Sequence, residues 1–243
     1  MKKQTFLSLF LVLFFQVCLH AQDCDCMRKY KKGTRYLYNQ YDKNGKHINV
    51  AKDGDYAEVM DKIVTSDGWE LQMGISVKDK NGNIVKTQTM KTHCTKGIYF
   101  FDLRESIGNA TQNANANSNV KVSIKITGDP LIIINKDLEV GKEFPEATTE
   151  FATMLNDLVL TRSKVRTYNR KIVNIENVTT PLGSFDCYKI TADMDMTFKL
   201  LRTRTTTTSS VMYWNKDYGM VKSVQYNDKG KEESSYVLAK FIE

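Results

Sequence analysis

Histidine is scarce in this chain. Of three in 243 residues, His20 lies in an N-terminal apolar segment, which leaves His47 and His93. A hydrolase built on a nucleophile needs a base held against it. His93 adjoins Cys94, but neighbours on a strand point to opposite faces and make poor catalytic partners. His47 follows a turn signal and is expected at the surface. Two histidines without an acidic cluster are also a weak metal site. No glycine loop of the phosphate-cradling kind occurs, and no nucleic-acid motif. Glycosidase carboxylates can come from anywhere in a β fold. Asp193 and Asp195 share one strand face but read as solvated. No catalytic, cofactor-binding or metal-ligating residue is therefore assigned, and no cofactor is expected.

Long apolar runs are also missing, with one exception. Lys2 and Lys3 precede an apolar stretch from Thr5 to Val17, and Leu19-His20-Ala21 ends it with a small residue. These are the three parts of a secretory signal, and the stretch is short for a bilayer span of ~20 residues. Residues 1–21 are expected to be removed, giving a soluble product that starts near Gln22 and lies in the periplasm or outside the cell. Phe15-Gln16-Val17-Cys18 fits a lipid-attachment site poorly. No integral membrane segment is expected after cleavage. The segment carries two of the 35 basic side chains and no acids, so 33 basic residues face 28 acidic ones in the remainder. That surplus is modest. Lys199, Arg202 and Arg204 cluster, as do Lys29, Lys31 and Lys32. Such clusters read as solvated faces, or as contacts for anionic lipid or acidic glycan.

Four cysteines remain, Cys24, Cys26, Cys94 and Cys187. In an oxidising compartment an even number suggests disulfides. Four allow three complete pairings, and the sequence does not choose among them. A bridge from the N-terminal pair to Cys94 would close a loop of about 70 residues and stabilise by ~4 kcal/mol in the chain-entropy model. A metal or redox Cys-x-Cys site lacks the second ligand pair it would need.

What is abundant is alternation. Leu71, Met73, Ile75 and Val77 alternate with polar or small residues, as do Val120, Val122, Ile124 and Ile126. The longest ladder is Tyr188, Ile190, Ala192, Met194, Met196, Phe198 and Leu200. Period two over such lengths means strands with one apolar and one wet face. Cys187 falls on the wet register, which argues against a simple core role and leaves a free thiol, a partner for an N-terminal cysteine, or a strand start out of register. Asp42 to Lys46, Asp79 to Asn83 and Asp228 to Lys231 are expected to form one kind of tight hairpin, with glycine supplying positive φ. As calcium loops they lack the further acidic ligand. Pro181-Leu182-Gly183 is another turn. Helix is expected only in Asp102 to Ser118, before the polar Asn113 to Asn117 tract, and residues 145–160 are ambiguous. Trp69 and Trp214 could stack on sugars, although strand tryptophans are more often core. The expected fold is all-β with minor α, a single antiparallel domain over 22–243. Its apolar face must be covered by curling, by a second sheet or by a ligand.

Glu176 to Ile190, including Pro181-Leu182-Gly183-Ser184-Phe185-Asp186-Cys187-Tyr188, resembles a hallmark run of TapB-like exported proteins, a domain-of-unknown-function family. Trp214 with Tyr218 to Ser223 resembles its second hallmark. Cys26 with Gly33-Thr34-Arg35-Tyr36, Cys94 before Tyr99 to Asp102, and Leu138 to Lys142 extend the likeness over nearly the whole chain after the signal. The resemblance implies one strongly curved antiparallel sheet, a half-barrel of the YmcC-like kind, similar to lipocalin- or lipoprotein-carrier-like folds. It implies an envelope or surface location and carries over no catalytic residue. Two functions are in view. The first is a non-catalytic module that holds an amphiphilic small molecule on the curved sheet. The second is an envelope interaction or assembly factor that meets a protein partner through a sheet edge or the Thr205 to Thr208 strand. The sequence leaves the oligomeric state open.

Overall fold

The computed structural model describes residues 24–49, 57–78, 84–101, 122–129, 131–156, 158–199 and 202–243. The signal-like segment, the Asp102 to Ser118 stretch and the Asp79 to Asn83 turn lie outside them. Every regular element among the described residues is a strand. In chain order they are β1 Arg35–Asp42, β2 His47–Asn49, β3 Ala57–Thr65, β4 Gly68–Lys78, β5 Ile84–Thr95, β6 Ile98–Phe101, β7 Val122–Gly128 and β8 Leu131–Asn135. There follow β9 Glu143–Phe144, β10 Ala147–Leu155, β11 Leu158–Thr180, β12 Gly183–Lys199, β13 Thr203–Asn215, β14 Gly219–Tyr226 and β15 Glu232–Ile242.

All the ladders are antiparallel and join one sheet, in the order β7-β10-β11-β12-β13-β14-β15-β1-β3-β4-β5-β6-β8. Short β2 pairs with β1, and β9 with β11. Most neighbours are hairpins, which antiparallel pairing permits with short loops. The exception is the centre, where the first strand lies between the last, β15, and β3. The sheet is curled but not closed into a barrel. β11 touches β14 and β15, which are not its ladder partners, and β10 touches β8 from the far end of the order.

Curling puts one face of nearly every strand into one core. Leu71, Val59, Ile172, Leu238 and Ile134 are fully buried there, with Tyr36, Trp69, Tyr99 and Trp214 packed among them. The alternation read along β12 sets its register. Ile190 is buried in that core, and Tyr188 packs against it.

The turns differ in detail from expectation. Asp42 N–H donates to the Lys46 carbonyl and Gly45 N–H to the Asp42 carbonyl, so three residues form the loop, not two. Positive φ falls on Gly45 alone, at 73°. The Asp42 carboxylate accepts from Asn44 N–H at 2.8 Å and Lys46 N–H at 2.9 Å. Asn227 does the same work for Lys229 and Lys231, with Gly230 at φ 70°. A side chain that satisfies loop N–H groups in this way explains the acidic or amide residue at each start. The ambiguous 145–160 stretch is the β10–β11 hairpin, in which Leu155 faces Leu158.

Candidate functional site

The inside of the curled sheet has two contrasting ends. At one end an aromatic cluster fills it. Tyr30 stands edge-on to Tyr36 and Phe241, Tyr36 to Tyr38, and Tyr99 tilts between Trp69 and Trp214. The phenols are mostly anchored. Tyr30 donates to the Tyr218 carbonyl at 3.0 Å and Tyr38 to the Met220 carbonyl at 2.5 Å. Burial pushes Tyr30, Tyr36, Tyr38 and Tyr99 well above the ordinary phenol range. Trp69 Nε1 donates to the Cys24 carbonyl at 3.1 Å, and both tryptophans are buried. Neither is placed to stack on a sugar.

The N-terminal segment plugs this end. Met27 is buried, and its N–H bonds to the Lys216 carbonyl at 2.6 Å. Cys24 stands at disulfide distance from Cys94, with Cα atoms 5.8 Å apart. The Cys26 sulfur lies 3.9 Å from that of Cys94. Burial raises the Cys26 thiol to about 12. Cys187 departs from expectation. It lies on the outer register, yet it is fully buried as a free thiol, in a second cluster with Val178 and Val221 flanked by Phe185, Tyr213 and Tyr218. Burial pushes it up to about 12 as well. The outer face is thus apolar locally, and Cys187 is a core residue of that face.

At the other end, among the described residues, the inside is not filled in this way. Cross-strand pairing aligns Ile126, Phe151, Ser163 and Phe198 in one row, with Val165 beside Met196 and Thr167 beside Met194 in the next. These positions continue the face on which Ile190 is buried. Yet Ile126, Phe151, Val165, Met194 and Met196 are only half-buried, and Phe198 is 46% exposed. None of them joins either buried cluster. The result is an apolar trough along β7, β10, β11 and β12.

The outer face of the same strands is polar. Arg166 grips Glu146 through two hydrogen bonds of 2.7 and 2.8 Å, a bidentate pair. Asp195 accepts from Thr207 at 2.8 Å and Tyr168 at 3.2 Å, and Asp193 accepts from Asn169 at 2.8 Å. The two carboxylates are engaged separately, not held as an acid–base pair. Nearer the β10–β11 turn lies a groove of about 410 Å³ with Lys125, Arg162, Lys164 and Lys199 in its lining. The histidines stay apart from all of this. His47 is half-buried edge-on to Tyr41, and His93 stacks on Phe100, 3.5 Å from Glu70. Cys94 points the other way, into the core. Among the described residues, no three His, Cys, Asp or Glu side chains are grouped to hold a metal.

β13 has one further feature. It pairs with β12 along its length, but its pairing with β14 starts only at Ser209. Thr203 to Thr208 therefore present an open edge on that side among the described residues.

Comparison with known proteins bears on the fold. A family model described as DUF3108-like, a domain of unknown function, matches residues 31–238. Among curated proteins none matches the chain. A crystal structure of a candidate lipoprotein from Parabacteroides distasonis is 21% identical, with a TM-score of 0.65, covering 91% of this chain and all of that one. A candidate exported protein with a YmcC-like fold, from Bacteroides fragilis, is 20% identical, with a TM-score of 0.62, covering 90% of this chain and all of that one. The curled antiparallel sheet that the family resemblance implied is the fold these proteins share.

Proposed function

The chain belongs to the DUF3108-like family, and from that premise we propose an exported, non-catalytic module that holds a lipid-like or other amphiphilic ligand inside its curled sheet. The observation that carries this reading is the trough of Phe151, Val165, Met194, Met196 and Phe198. An apolar sheet face normally finds a cover, and the aromatic end of the same face has one. An acyl chain in the trough would supply it. At ~0.8 kcal/mol per buried methylene, about ten methylenes would contribute roughly 8 kcal/mol, enough to offset the lower part of the ~4–15 kcal/mol cost of association. Methionines suit such a role, because their flexible thioethers fit chains of varied shape. Export is supported by the signal-like residues 1–21 and by the descriptions of the two similar structures as a lipoprotein and an exported protein.

Native mass spectrometry of the protein from its own host, followed by solvent extraction, tests the reading. Bound mass that extracts as an amphiphile is expected, and M196S/F198S should lose most of it. A bare polypeptide mass from gentle ionisation, together with no extractable lipid, would overturn it. N-terminal sequencing of the same material should begin near Gln22.

The open edge of β13 favours a second reading, an envelope interaction factor. Unpaired backbone groups along Thr203 to Thr208 could accept a strand from a partner protein. Cross-linking from T205C in cells would then capture one defined partner. Recovery of the monomer alone would count against it.

A further inference from the structure

We propose that the tip of the β10–β11 hairpin and the basic groove beside it form a docking surface for an anionic lipid bilayer. This inference uses the outer face and does not depend on a ligand in the trough. Two independent observations meet at the tip. The first is apolar exposure. Leu158, Val159 and Leu160 are consecutive and are 71%, 45% and 49% exposed. Ordinary alternation would turn at least one of them inward. Here a register shift opposite Thr153 and Met154 leaves Leu160 outside the ladder, so all three reach solvent. Three adjacent exposed aliphatic residues at a hairpin end are unfavourable in water and favourable at a lipid interface.

The second observation is charge. The ladder rows place Lys125 beside Ala152, Ala152 beside Arg162, and Arg162 directly opposite Lys199. Like charges directly opposite across a sheet repel. Lys164 stands in the next row, opposite Glu150, the one carboxylate among the described residues of the groove lining. Other acids of this face are engaged elsewhere, Glu146 near Lys164 by the bidentate Arg166, and Asp193 and Asp195 farther along β12 with Asn169, Tyr168 and Thr207. Among the described residues, four exposed cations thus converge on a cavity lined by one acid. Val159 and Met154 line the same cavity, so the apolar tip and the cations form one surface. An anionic phospholipid layer complements both parts, since phosphates would relieve the repulsion between Arg162 and Lys199 while Leu158 and Leu160 enter the interface.

Vesicle flotation with the protein as its host processes it tests this. Vesicles of phosphatidylcholine alone are compared with vesicles containing phosphatidylglycerol, at low and high salt. Binding should favour anionic vesicles by tenfold or more and fall with salt. Each cation near an anionic surface contributes enough that R162E/K199E should weaken binding by more than about tenfold. L158S/L160S should weaken it several-fold at unchanged salt dependence. Both pairs are exposed, so circular dichroism should show intact folds. Equal binding to neutral vesicles, or undiminished binding by R162E/K199E, would overturn the proposal. So would full displacement by millimolar inorganic phosphate, which would assign the groove to a soluble anion instead. Ligand extraction reads the inner face and flotation the outer one, so either reading can fail alone.

Discussion

Gly68 opens β4 where two parts of the chain are pressed together. A Cβ there would run into the Cys94 backbone carbonyl and come within 3.0 Å of the Cys24 sulfur. Gly68→Ala should therefore cost about 1–3 kcal/mol, as overpacking does, and thermal melts would show it. The neighbouring thiols give a second prediction. With Cys26 raised to about 12, little thiolate exists at pH 8, and only the thiolate reacts readily. Alkylation of the native protein should be slow at Cys26 and Cys187 and rapid in urea. In C24S, the 3.9 Å approach of Cys26 to Cys94 should direct a Cys26–Cys94 bridge, visible by peptide mapping. A C24S product with all thiols free would contradict that. The sequence left the cysteine pairing open, with Cys94 as one physically sensible partner for the N-terminal pair. It misjudged Cys187, because strand alternation tells which face a residue is on and not whether that face is covered. Part of the cover comes from Val221 and Tyr218, more than thirty residues away.

At the scale of elements, β12 and β11 show what was legible and what was not. β12 alternates from Tyr188 onward without a break, and its strand and faces could be read directly. β11, 23 residues long, is its partner from Arg162 to Thr180, yet it carries no such ladder. Register shifts between Tyr168 and Lys171, and again between Ile172 and Asn174, change the phase of its side chains, with Asn169 at φ 51°. Bulges of this kind bend a strand and scramble its period. The basic groove was illegible for a different reason, since its cations come from β7, β11 and β12 and meet only through pairing. The two ends of the inner face should also differ in energetic weight. Ile172→Ala, in the filled end, should cost about 2–5 kcal/mol. M196S/F198S, in the trough, should cost less per residue because these side chains already meet solvent. Urea denaturation of the ligand-free protein would compare them.

For the whole molecule, neutral buried acids dominate the pH response. Cys26 and Cys187 titrate in the fold about 12, against 9.0 for a free thiol. Tyr30, Tyr36, Tyr38 and Tyr99 are raised above their usual 10.0. All six have folded values above their unfolded ones, so the unfolded chain gives up its protons first. Their contribution to stability is complete below about pH 9 and is lost as pH rises towards 12. Urea midpoints followed by near-ultraviolet circular dichroism should be level from pH 7 to 8.5 and fall steeply above 9.5. A level profile to pH 11 would refute this assignment. The placement of β1 between β15 and β3 also has a consequence in time. Tyr30 packs on Phe241, and Lys29 meets Glu243 at 3.0 Å. β1 must wait for β15, which follows it by some two hundred residues, before the centre of the sheet can form. Pairings this distant along the chain slow folding, so the central seam stays unmade, dependent on whatever shields it, until β15 has emerged to meet β1.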